Sequence, residues 1–147
     1  MTLALLGAGA IGLAVGVPWG AILIGRDRVL APIAAGGLRL TDARTDRTFA
    51  PDAIQTAGPE ALASADLIAV ATKSTALPSV IETITAQAQP DTPILSLMNG
   101  LSPVRDLTDA LPNPILRGMV PFNAVWRGPT HLHLSSAGSV AVEDHPA

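Results

Sequence analysis

Apolar positions along the chain fall into two kinds of run. Residues 3–6, 21–24, 66–72 and 93–97 are apolar almost without interruption. Such runs are expected for strands of a parallel sheet, which are buried on both faces. Elsewhere the spacing is helical. Leu77, Val80, Ile81 and Ile84 share one helix face, which predicts a helix that is capped by Ser74-Thr75, reaches about residue 89 and is stopped by Pro90. Ser102 is expected to cap a second such helix, from Pro103 to about residue 111. Residues 11–17 and 29–35 predict two further helices, the latter ended by Gly36-Gly37. The 11–17 segment is short, because Pro18 disfavours helical geometry at Val17 and two nearby glycines weaken it. Alternating residues 38–42 predict a strand with a hairpin partner at 47–50, and residues 53–56 a further short strand. Gly58-Pro59 marks a turn before a short helix at 60–64. Residues 115–122 are strand-like, 123–129 loop or edge, and 130–134 and 139–142 predict two antiparallel strands around Ala137-Gly138. Strands alternating with helices define an α/β domain over residues 1–147. It should be a doubly wound parallel sheet with a few antiparallel edge strands.

The first strand runs into Gly7-Ala8-Gly9-Ala10-Ile11-Gly12, which fits G-x-G-x-x-G. In a Rossmann-like dinucleotide site Gly7 permits the tight turn. Gly9 lets a pyrophosphate approach the backbone, and Gly12 lets the helix pack closely on the strand. The position directly after a strand gives the motif its weight, since Gly and Ala are common here. The alternative is a plain glycine-rich turn.

Strand two ends in Ile24-Gly25-Arg26-Asp27-Arg28. At this point a carboxylate would accept from a ribose 2′-OH and an arginine would pair with a 2′-phosphate. Arg26 favours NADP, while Asp27 keeps NAD open. Lys73 follows the third apolar strand, where open α/β sheets bind ligands. A lysine there can meet a phosphate, a carboxylate or a carbonyl, or simply extend into solvent. Asn99-Gly100 follows the fourth strand and is either a turn or an amide placed over a cofactor.

The remaining composition narrows the classes. Of nine basic residues eight are Arg and one is Lys73, the net charge is −3, and aromatics make up 3%. No basic stripe supports a nucleic-acid surface. Cysteine is absent, which removes disulfides and thiolate metal sites. No apolar run is long enough to span a bilayer and no basic leader precedes the first strand, so a cytoplasmic location is expected. His131 and His133 share a strand face, the arrangement of a two-histidine ligand pair or of an ordinary polar edge face.

Together these stretches resemble the N-terminal domain of the 2-dehydropantoate 2-reductase (ketopantoate reductase) family. The likeness is carried by Gly7 to Gly12, Leu23-Ile-Gly-Arg26, Gly37-Leu-Arg-Leu-Thr41, Ala71-Thr-Lys-Ser74, Leu97-Met-Asn-Gly-Leu101 and Gly118-Met-Val-Pro-Phe-Asn-Ala124. The resemblance implies that Gly7, Ala8, Gly9, Ala10, Ile11, Gly12, Arg26, Lys73, Asn99 and Ala124 contact NADP(H), and that Asn99 also touches the 2-keto acid. It implies reduction of ketopantoate to pantoate, a step of pantothenate synthesis. The family's general-acid lysine belongs to a helical C-terminal domain, expected to be absent here, so no catalytic residue is assigned within the chain. Little activity is then expected of the chain alone. Apolar surface near Met119, Val120, Phe122 and Trp126 should be exposed, inviting self-association or a helical-domain partner. Two other readings remain: a non-catalytic NADP(H)-binding module or partner subunit, and part of a dehydrogenase for another 2-keto or 3-hydroxy acid.

Overall fold

The computed structural model describes residues 1–136 and 138–144. In chain order its elements are β1 (Leu3–Leu6), α1 (Ala10–Gly16), β2 (Ile22–Ile24), α2 (Asp27–Gly36), β3 (Leu38–Thr41), β4 (Asp46–Phe49) and β5 (Gln55–Thr56). There follow β6 (Leu67–Val70), α3 (Leu77–Gln87), β7 (Ile94–Ser96), α4 (Ser102–Ala110), β8 (Ile115–Met119), β9 (Ala124–Gly128), β10 (His131–Leu134) and β11 (Ala141–Val142). Short 3-10 turns lie at Pro51–Ala53, Pro59–Ser64 and Ser74–Ala76.

The apolar runs become the centre of a seven-stranded sheet, ordered β11-β8-β7-β6-β1-β2-β5. All its pairings are parallel except β11 with β8. Side chains alternate across the sheet, so β1 serves two cores at once. Leu3 and Leu5 pack with Leu13 of α1, Ile33 of α2 and Leu132 of β10. Ala4 and Leu6 pack on the opposite face with Val80 and Ile84 of α3 and Leu107 of α4. Leu5, Leu13, Ile84 and Leu107 are all fully enclosed. Each such side chain contributes about 1.5–3 kcal/mol by leaving water.

The antiparallel strands do not simply fringe this sheet. Most of them form a separate four-stranded sheet, β4-β3-β10-β9, which buries Leu38, Leu40, Leu132 and Leu134 against the α1 face. The two C-terminal strands expected to pair with each other therefore do not. β10 lies between β9 and β3, whereas β11 adds to β8 at the edge of the main sheet. Of the turn expected between them, Ala137 lies outside the described residues. Within residues 123–129, read as loop or edge, Ala124–Gly128 form an edge strand.

Two expected caps are not made. Ser74 and Thr75 belong to a 3-10 turn, and α3 starts after Ala76 without a side-chain cap. Leu101 already has helical geometry (φ −90°, ψ −23°), so Ser102 is the first residue of α4 rather than its cap. The helix α3 also stops at Gln87, because Ala88 is extended two residues before Pro90. The short first helix is confirmed at seven residues. Where it stops, Trp19 and Gly20 help line an apolar hollow of about 340 Å³ with Leu3, Leu67, Leu95 and Leu116.

Candidate functional site

From β1 the chain moves outward to β2, and it later returns to β6 on the other side of β1. The reversal opens a crevice at the carboxyl ends of β1 and β6. Backbone hydrogen bonds hold its floor. Gly7 N–H donates to Ile24 O at 3.0 Å, Ala71 N–H to Leu6 O at 2.8 Å and Leu97 N–H to Val70 O at 2.8 Å. These bonds bring the segments that follow β1, β6 and β7 to one place.

The glycines there are not equivalent. Gly7 has φ +105°, a region costly to any side chain, and a Cβ would sit 2.7 Å from the carbonyl carbon of Ala71. At Gly12 a Cβ would collide with the carbonyl oxygen of Gly7. Both glycines are required by the packing itself. At Gly9 a Cβ would meet nothing within 4 Å. No neighbour in the chain demands glycine at that position, which lies at the edge of the crevice.

The crevice is a cavity of about 570 Å³. Gly9, Ala10 and Ile11 line one side, and Ala71, Thr72, Lys73, Ser74 and Thr75 another. Leu97, Met98 and Asn99 come from the end of β7, and Val120, Phe122 and Asn123 from the segment between β8 and β9. The walls combine apolar surface with a few converging polar groups, the usual composition of a small-molecule site. Lys73 is the one titratable side chain among these residues, and among the described residues it forms no ion pair. Thr72 Oγ1–H points to Met98 Sδ at 3.9 Å.

Of the residues singled out from sequence, Gly9, Ala10, Ile11, Lys73 and Asn99 line this cavity together. Gly7, Ala8 and Gly12 lie beneath it as the turn and its packing. Ala8 is buried against Gly25, where a Cβ would clash with it, and this contact sets the end of β2 beside the glycine loop. Arg26 therefore sits next to the loop as the residue before α2 but does not line the cavity. Ala124 does not line it either; half-buried at the start of β9, it packs on the core, and its neighbour Asn123 takes the lining position. Thr72, Ser74, Thr75, Met98 and Asn123 were not singled out as ligand groups. The first four flank Lys73 and Asn99, and that adjacency was the available signal. Val120 and Phe122, expected to be exposed, are half-buried on the core, while Met119 (66%) and Trp126 (41%) are exposed as expected.

Order of strands, two-sided helix cover and a crevice at the strand reversal define a Rossmann-like doubly wound α/β domain. Within that class, the family described as ketopantoate reductase PanE/ApbA matches residues 3–147, and the chain belongs to it. A ketopantoate reductase from Ralstonia eutropha JMP134 is 26% identical with a TM-score of 0.83, over 99% of this chain and 50% of that one. The 2-dehydropantoate 2-reductase of Geobacter metallireducens GS-15 is 25% identical with a TM-score of 0.82, over 98% and 49%. D-mandelate dehydrogenase, solved with NADH and anilino(oxo)acetate, is 26% identical with a TM-score of 0.76, over 97% and 48%. The chain thus spans about half the length of these structures. No curated protein gives a significant match. Among the described residues no helix is long and apolar enough to cross a membrane.

Proposed function

We propose that the chain is the NADP(H)-binding half of a ketopantoate reductase, working on the 2-keto acid only with a helical domain beside it. The observation that carries this reading is Gly9. A glycine whose Cβ would meet nothing, facing a cavity at the strand reversal, suits a backbone kept bare for a phosphate. Arg26, beside the loop, would pair with a 2′-phosphate. When bound, NADPH supplies the hydride that reduces the C2 keto group. Lys73 Nζ would donate to a phosphate or to the substrate's oxygen. Asn99 would orient the substrate and the reactive end of the cofactor through its side-chain amide. Lys73 would then be committed to binding, so the proton for the new hydroxyl would come from the family's lysine in the helical domain. The isolated chain should therefore show little ketopantoate-dependent NADPH oxidation.

A second reading is NADH-dependent reduction of a different 2-keto acid. Asp27 beside Arg26 and the likeness to D-mandelate dehydrogenase favour it. Titrating NADPH and NADH into the chain, and into Arg26→Ala, separates the two. The first reading expects NADPH preference, with about a tenfold loss of NADPH affinity in the variant and little change for NADH. Preference for NADH supports the second. No binding of either refutes both.

A further inference from the structure

Strand β10 sets His131 and His133 two residues apart, so both rings leave the same face of the smaller sheet. It is the face turned from the core, since Leu132 and Leu134 between and beyond them are buried. The rings converge. His131 Nε2 lies 2.7 Å, and His133 Nδ1 2.9 Å, from a single atom, Thr41 Oγ1 on β3. The parallel register makes this possible by placing Thr41 opposite His133 and Arg39 opposite His131. A hydroxyl carries one proton and can donate to only one of the two nitrogens. The other nitrogen must bring its own proton and donate to the oxygen. At most one imidazole therefore aims a lone pair at the meeting point as it stands, and a ring that donates there can turn a lone pair inward by shifting its proton to its other ring nitrogen, without losing it.

We propose that His131 Nε2 and His133 Nδ1 form a binding site for a divalent transition cation of the Zn²⁺ or Cu²⁺ type. Imidazole nitrogen suits these ions, whereas Ca²⁺ and Mg²⁺ need oxygen cages. Both rings are half-buried and share one partner, so ligation costs little additional freedom. Metal–nitrogen bonds are about 2.0–2.1 Å, so the rings close on the ion by side-chain rotation and Thr41 becomes a neighbour rather than the centre. Asp46, opposite Thr41 on β4, is held by Arg39 at 2.7 and 3.0 Å. Among the described residues no group of three or more His, Cys, Asp or Glu side chains converges as a metal cage. Water would fill the remaining positions, giving an open, exchangeable site instead of a structural one. The site stands apart from the cavity and does not depend on its function.

Zn²⁺ titrated into untagged protein tests this, by calorimetry and by the ring resonances of His131 and His133. Saturable one-to-one binding is expected at about 1–100 µM, with both rings perturbed. His131→Ala and His133→Ala should each weaken it at least about tenfold, and His131→Gln provides a milder variant. Thr41→Val should retain affinity within about threefold, because the hydroxyl is not the main ligand. No saturation, or ring resonances that do not move, overturns the proposal. So does binding that survives the combined His131→Ala and His133→Ala substitutions.

Discussion

At the residue scale the glycine loop separates packing from binding. Gly12 is fixed by the carbonyl of Gly7, so Gly12→Ala must displace α1 from β1. A loss of about 1–3 kcal/mol is expected in denaturant unfolding, as for other overpacked sites. Gly9→Ala meets no atom of the chain. Its stability should stay within about 1 kcal/mol of the parent, while NADPH affinity falls about tenfold or more if a phosphate does approach there. Equal NADPH affinity in the parent and Gly9→Ala would remove the observation on which the proposed function rests. The β3–β4 hairpin carries a second residue-scale effect. Asp42 Oδ1 accepts from the Arg44 and Thr45 N–H groups, each at 2.7 Å, and these bonds hold its carboxyl below the ordinary value. Asp46 is held low by its hydrogen bonds from Arg39. Depressed carboxylates support the fold above their unfolded value near 3.8, and the support fades as pH falls through the lower folded values. Amide exchange should therefore show faster hairpin opening in Asp46→Asn at neutral pH, with the difference from the parent closing in acid.

At the element scale, the central parallel strands were the most legible part of the sequence. Leu3–Leu6 and Leu67–Val70 are apolar on both faces because both faces are covered. Helix α3 was legible through Leu77, Val80 and Ile84, all of which are buried. Ile84→Ala should cost about 2–5 kcal/mol and lower the thermal midpoint, whereas the same change at exposed Glu82 should be nearly silent. The destinations of β9, β10 and β11 were not legible. Their alternation announces strands but carries no partner, and β10 joins β3 from ninety residues earlier in the chain through contacts such as Thr41 with His131. The site was read in the same uneven way. Gly9, Lys73 and Asn99 follow strands whose carboxyl ends could be identified. Asn123 was missed because the segment between β8 and β9 reaches the crevice only through tertiary folding.

For the whole molecule, the exposed apolar side chains bear on association. Met119 is 66% exposed at the end of β8, and Leu101, Val125 and Trp126 are exposed on the segments leading into α4 and along β9. The chain spans about half the length of the structures it matches. Exposed apolar side chains favour association, because burying them releases water. A helical domain or partner packed on the same side chains would cover them. Light scattering over about a hundredfold range of concentration should therefore show growing dimer or aggregate. Leu101→Gln with Met119→Gln should shift the population toward monomer while leaving the unfolding midpoint nearly unchanged, since neither side chain is in the core. A parent that stays monomeric throughout would mean that these side chains are tolerated by water, and the argument for a partner on them would fail. Association that persists in the double variant would move the contact elsewhere, with the apolar hollow beside Trp19 as the next place to substitute.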